Sequence, residues 1–248
     1  MNLLLILFTG LISGFLNTVA GGGSLFTIPI LIFLGLPSAI ANGTNRIALM
    51  VQNIVAICNF KSKGFFDYRL GLTLAIPATI GAIIGAKIAI SLSDELFNKI
   101  LATIMIGILI LIIWQPQKKS SEIHSLKGAK KFVAIIVFLF IGIYGGLIQA
   151  GVGFIIIASL TLITGFSLTK INSIKVLVVA LYMLSSLIVF IVNNKIDWTF
   201  GIILAIGNSI GAYLGSNFAV NKGDKWIRIV VIVSVILMSL KLFGVIDI

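Results

Sequence analysis

Apolar runs of about twenty residues, separated by short polar or glycine-rich breaks, set the limits on what this chain can fold into. They occur at Leu3–Ala20, Ala39–Phe60, Leu70–Ser91, Leu96–Trp114, Phe132–Ala150, Ile171–Val192, Thr199–Val220 and Trp226–Ile246. An α-helix needs about 20 such residues to cross the hydrocarbon core of a bilayer. The runs are too long for barrel strands and lack strict alternation. Two shorter runs, Leu25–Leu36 and Phe154–Gly165, each follow a glycine cluster. With 59% hydrophobic and 10% charged residues, against about 25% charged in soluble domains, 248 residues cannot hide this surface from water. The expected fold class is an all-α, polytopic helical membrane protein.

The net charge of +11 does not point to nucleic acid, because the basic residues sit mostly in short loops between apolar runs, where the positive-inside rule places them. The single Cys58 excludes an intrachain disulfide, and the single His124 lies in the central polar loop, so no metal site is expected. No Walker A lysine motif, His-Glu-x-x-His or cysteine pair occurs. The expectation is therefore a non-enzyme without cofactors that does not itself hydrolyse ATP. The first run has no basic leader and has a counterpart later in the chain, so it belongs to the fold rather than to a cleaved signal.

The chain repeats itself. At an offset of about 130, Asp67 meets Asp197, Gly71 meets Gly201, Gly81 meets Gly211, Gly85 meets Gly215 and Asn42 meets Asn172; upstream, at about 128, Gly14, Gly23 and Phe26 meet Gly142, Gly151 and Phe154. This divides the chain into a first repeat (1–114), a basic cytoplasmic linker (115–131) and a second repeat (132–248). If each glycine-separated pair is a hairpin, there are ten segments, and 12 loop cations face 3 across the membrane; with eight segments the split is 10 against 5. A single helix over Leu3–Leu34 would span roughly 48 Å, far more than a core of about 30 Å. The expectation is two homologous halves forming inverted repeats of about five segments each, including a glycine-broken short arm.

Two features could carry transport. Gly21, Gly22, Gly23 and Ser24, matched in part by Gln149, Gly151 and Gly153, break helices inside a bilayer. Broken backbone there must be buried in protein or line a wet cavity, and the N-terminus of the following half-helix suits an anion. Close helix packing through small residues is the structural alternative. The second feature is Asn42, Thr44, Asn45 and Arg46, matched by Asn172 and Lys175: a polar patch with one cation inside an apolar run. Such a cation marks a functional site by default, and no carboxylate lies inside the runs to pair with it. Snorkelling to the interface is the alternative. Lys87 reads as snorkelling, Asp67 and Asp197 as helix N-caps, and the spaced glycines Gly81/Gly85 and Gly211/Gly215 as close-packing faces.

These residues resemble those of the TauE/SafE family of sulfite exporters and probable membrane transporters: Gly21-Gly22-Gly23-Ser24, then Asn42-Gly43-Thr44-Asn45-Arg46-Ile47-Ala48, then Asn172-Ser173-Ile174-Lys175-Val176. The resemblance covers nearly the whole chain, departing at Val152, which interrupts the second glycine cluster. It implies movement of sulfite, sulfonates or related small sulfur-containing anions across the bacterial cytoplasmic (inner) membrane by a multi-pass protein. The expected function is a secondary transporter or permease for such an anion; a passive anion channel and a membrane scaffold are the alternatives. The expected partners are a small anionic substrate and the lipid bilayer, with a homodimer as an open option.

Overall fold

The computed structural model describes residues 2–113 and 128–242. The helices are α1 (Asn2–Val19), α2 (Ser24–Phe33), α3 (Ser38–Ser62), α4 (Tyr68–Ser91), α5 (Asp94–Ile113), α6 (Ala129–Leu147), α7 (Val152–Thr164), α8 (Leu168–Val192) and α9 (Trp198–Leu242). Gly223, at φ 71° and ψ −171°, divides α9 into arms 198–222 and 224–242, so the described residues form ten helical segments and no strands. The fold is that of an all-α membrane protein. Most of the basic linker lies outside the described residues, and its last three positions already belong to α6.

Tyr68–Ser91, Leu168–Val192 and Trp198–Gly223 are long and apolar enough to cross a membrane. Their outer faces carry exposed aliphatic side chains in steps of four: Leu72, Ile76, Ile80, Ile84 and Ile88 on α4, and Ile202, Ile206, Ile210 and Leu214 on α9. One stripe of a 3.6-residue helix is therefore apolar and unburied, which is stable only against lipid. Asp67 and Asp197 begin these helices as N-caps, accepting from the backbone N–H of Leu70 at 3.2 Å and Phe200 at 2.9 Å.

The inner faces of the same helices use glycine. Gly207 and Gly211 on α9 lie against the backbone of α1 at Leu7 and Leu11, while Gly10 and Gly14 on α1 lie against Leu204 and Asn208. The equivalent seam joins α4 to α6, with Gly81 and Gly85 against Leu139 and Ile143, and Gly142 and Gly146 against Ala78 and Ala82. The small-xxx-small faces are thus used inside the chain, between its halves, where missing side chains let two backbones touch.

Contact order fixes direction. Along α1 and α9, residues 10 to 15 meet 204 to 215 in the same sense, and α6 runs parallel to α4. Gly201, Asn208 and Ser216 meet α3 at Ile47, Gln52 and Asn59, also in parallel. Gly71 packs on Leu177, and Ala86 and Ala89 cluster with Phe190, so α4 parallels α8. By contrast, Gly43 meets Lys195 and Phe190 while Phe60 clusters with Val176, so α3 and α8 are antiparallel. Consequently α1, α3 and the first arm of α9 run one way, and their counterparts α6, α8 and α4 run the other.

A side chain at these seams has no room. Gly142→Val places its Cβ in the Ala78 backbone, so a loss of about 3 kcal/mol is expected from overpacking. Size-exclusion of the solubilised protein should show the monodisperse peak lost for Gly142→Val and kept for the outward Ile80→Leu.

Candidate functional site: a cavity between two broken helices

Both glycine clusters break helices. α1 ends at Val19, the chain passes through Gly21 at φ 91°, and α2 starts at Ser24. α6 ends at Leu147, the chain passes through Gln149 at φ 69° and Gly151 at φ 70°, and α7 starts at Val152. Each turn closes alike: the N–H groups of Ala20 and Gly21 donate to Leu16 O at 2.8 and 2.9 Å, and those of Ile148 and Gln149 to Tyr144 O at 3.0 and 3.5 Å. Gln149 holds a left-handed conformation at a cost of order 1 kcal/mol. The breaks meet, since a Cβ on Gly21 would fall 2.8 Å from Phe154 N, and one on Gly153 would strike Gly21.

A helix that stops in a membrane leaves carbonyls without partners and a partial negative charge at that end. Here each end is capped by a cation from the opposite half. Lys175 on α8 donates to Asn17 O at 2.8 Å, Thr18 O at 3.0 Å and Asn172 Oδ1 at 2.7 Å, while Asn172 Nδ2 donates to Val19 O at 2.9 Å. Arg46 on α3 donates to Gly145 O at 3.2 Å, Gly146 O at 2.5 Å, Ser186 Oγ at 2.7 Å and Asn42 Oδ1 at 3.3 Å, while Asn42 Nδ2 donates to Leu147 O at 2.8 Å. Its guanidinium also lies 4.5 Å from the Phe190 ring centroid, within cation–π range. Arg46 is 0% and Lys175 3% exposed, so neither snorkels. Lys87, by contrast, is exposed.

Between the breaks lies a small cavity of about 20 Å³, roughly room for one water. Its lining comes from both halves: Asn17 and Gly21 at the first break, Gln149, Val152 and Gly153 at the second, Leu49, Gln52 and Asn53 from α3, and Lys175 and Val179 from α8. The Gln149 Oε1 accepts from the Tyr182 hydroxyl at 2.9 Å and the Gln52 Oε1 from Asn208 Nδ2 at 3.2 Å. Neither Nε2 has a protein partner among the described residues, leaving two amide NH2 groups free to donate.

Of the residues singled out from sequence, the cavity gathers Gly21, Gln149, Gly153 and Lys175. The others stand around it. Arg46, Asn42 and Asn172 cap helix ends. Thr44 Oγ1 accepts from the Asp197 N–H at 2.9 Å, tying α3 to the start of α9. Asn45 Oδ1 accepts from Thr27 Oγ1 at 2.8 Å, and Gly23 donates its N–H to Asn17 Oδ1 at 2.9 Å. Gly22, Ser24 and Gly151 form the breaks themselves. Sequence reasoning missed Asn17, Gln52, Asn53 and Asn208; each is an amide inside an apolar run, and that cost alone marks it.

Comparison with known proteins adds the family. A family model described as sulfite exporter TauE/SafE matches residues 6–242. The chain belongs to the TauE/SafE family. It is 28% identical over 242 residues to a probable membrane transporter protein of Haemophilus influenzae, covering 97% of this chain and 94% of that one. It is 27% identical over 238 residues to the probable membrane transporter protein YfcA of Escherichia coli K12, covering 95% and 87%, and 26% identical over 233 residues to the probable membrane transporter protein ORF9 of a Sinorhizobium species, covering 94% and 89%. No solved structure matches. This TauE/SafE chain is thus a multi-pass membrane protein of a transporter family.

Removing either cap should unfold its break. Arg46→Ala and Lys175→Ala each leave several buried acceptors bare, at a cost of about 3 kcal/mol, or roughly 6–12 °C in Tm for a chain of this size. Arg46→Lys should recover only part, since an ammonium lacks the guanidinium fork. Thermal unfolding of the detergent-solubilised variants reads this directly.

Proposed function

We propose that this protein is a secondary transporter of a small anion, in keeping with its family a sulfite, a sulfonate or another sulfur-containing anion, across the bacterial cytoplasmic membrane. The observation that carries the reading is electrostatic. Two cations are buried inside the helical core of the protein, and no carboxylate is buried with them among the described residues. Each cation offsets the negative end of one broken helix, which leaves the positive N-termini of α2 and α7 uncompensated beside the cavity. An anion is the charge that completes this arrangement.

The free Nε2 groups of Gln52 and Gln149 supply hydrogen bonds, Gly21 and Gly153 let the backbone approach, and Lys175 supplies charge through protons already engaged with carbonyls. At about 20 Å³ the cavity is smaller than a sulfur oxyanion, so in this reading the breaks part to admit the substrate. The opposite sense of counterpart helices supports the inverted-repeat reading, in which the two halves exchange roles as access alternates.

Uptake of labelled sulfite, thiosulfate, sulfoacetate and sulfate into proteoliposomes tests the assignment. Gln52→Leu and Gln149→Leu should each lower saturable uptake of the transported anion about tenfold, the equivalent of about 1.5 kcal/mol for one hydrogen bond to a charged group. Unchanged flux in both variants would remove the site, and absence of flux for all four anions would remove the substrate class.

A further inference from the structure

Besides Asn17, three amides line the cavity: Gln52 and Asn53 on α3 and Gln149 at the second break. Each has one end engaged and one end open. A backbone N–H can only donate and a carbonyl can only accept, so contact with either decides which way an amide points. The Gly23 N–H donates to Asn17 Oδ1 at 2.9 Å. That leaves Asn17 Nδ2 to donate to Gln52 Oε1 at 3.4 Å, where Asn208 Nδ2 also donates at 3.2 Å. Gln52 therefore keeps its Nε2 for the cavity. Gln149 does the same, because its Oε1 takes the Tyr182 hydroxyl at 2.9 Å. Asn53 is turned the other way. Its Nδ2 donates to Leu49 O, one turn back on α3, at 2.7 Å, and its oxygen is left over.

Asn53 is only 2% exposed, and its Oδ1 has no protein partner among the described residues. It is not among the sealed side-chain atoms without a partner, which lie on Ser13, Thr18, Asn45, Arg46 and Asn208. The space it opens on is the cavity. Lys175 does not serve it, since the three N–H bonds of that ammonium go to Asn17 O, Thr18 O and Asn172 Oδ1. The side chains thus present two NH2 groups, one bare acceptor and one positive charge whose protons are engaged elsewhere. A fully deprotonated oxyanion offers only acceptors, and it sets oxygen against oxygen at Asn53. A singly charged anion that also carries one O–H matches every group.

We propose that Asn53 is a specificity-determining residue, whose Oδ1 accepts from a hydroxyl on the transported anion. The class it selects is a hydroxy-substituted sulfonate, over a sulfonate of similar size without the hydroxyl. The proposal rests on the anion-transport reading of this cavity and narrows it. A site built to bond a hydroxyl discriminates strongly against the analogue that lacks one, because its own polar group is then left bare. Asn17 and Asn208 act as positioning residues, holding Gln52 as a donor opposite the Asn53 acceptor.

The test compares two radiolabelled sulfonates of equal charge: isethionate, which carries a hydroxyl, and ethanesulfonate, which does not. Saturable uptake of each, and of sulfite, is measured in proteoliposomes of the full chain. Wild type should show a kcat/KM for isethionate about tenfold or more above that for ethanesulfonate. Asn53→Leu, similar in shape but without the oxygen, should bring the ratio close to one; a merely structural role would lower both rates alike and keep the ratio. If Asn53→Leu does not fold, Asn53→Ala carries the comparison. Equal uptake of the two sulfonates by wild type would mean that water serves the Asn53 oxygen, and would overturn the inference while keeping the anion transporter. A preference that survives the substitution would do the same, as would uptake of sulfite with neither sulfonate admitted. Saturable uptake of none of the three would remove the anion reading and this inference with it.

Discussion

Two cations hold this structure at its weakest points. A helix broken inside a bilayer has carbonyls that neither water nor its own backbone can satisfy, and each costs several kcal/mol if left bare. Lys175 and Asn172 satisfy the end of α1; Arg46 and Asn42 satisfy the end of α6. Both donors come from the other half, so neither half can close its own break. The charge that makes the break tolerable also fixes the sign of the field in the cavity.

The two caps are not identical, and the difference sets which one faces the site. Lys175 stands in the cavity wall. Arg46 is sealed behind Phe190, Met183 and Ser186, where the guanidinium meets an aromatic face, a thioether and a hydroxyl. On α3 the residues facing the centre are amides, Gln52 and Asn53, whereas α8 offers Tyr182 and Met183 at the corresponding turn. The first half therefore supplies most of the polar wall, and the second supplies the ammonium and Gln149.

Much of this was legible in the sequence because lipid imposes simple rules. Run lengths placed the helices, including the short arms α2 and α7, and the paired glycines located both breaks. Asp67 and Asp197 announced their N-caps. What the sequence hid was the partner of each cation. Arg46 and Lys175 read as free counter-charges because no carboxylate was near, yet backbone carbonyls, which no residue letter records, take half of their hydrogen bonds. Asn17, Gln52 and Asn208 were hidden for a related reason: a single amide within an apolar run shows its cost but not which helix it will meet. The glycines of α4 and α9 fitted either an interface between copies or one within the chain, and only the fold decides that they join α4 to α6 and α9 to α1.

That exchange of arms has a consequence for assembly. Each half lends its first helix and its cation to the other and receives the same in return, while counterpart helices run in opposite directions. A half-length chain carrying these features could satisfy its glycine seam and its broken helix only by pairing with a copy of itself inserted upside down. The contacts that join the two halves of this one polypeptide are those that an antiparallel pair of half-length chains would make, and holding both halves in one chain fixes an orientation that two separate chains would have to find anew each time they entered the membrane.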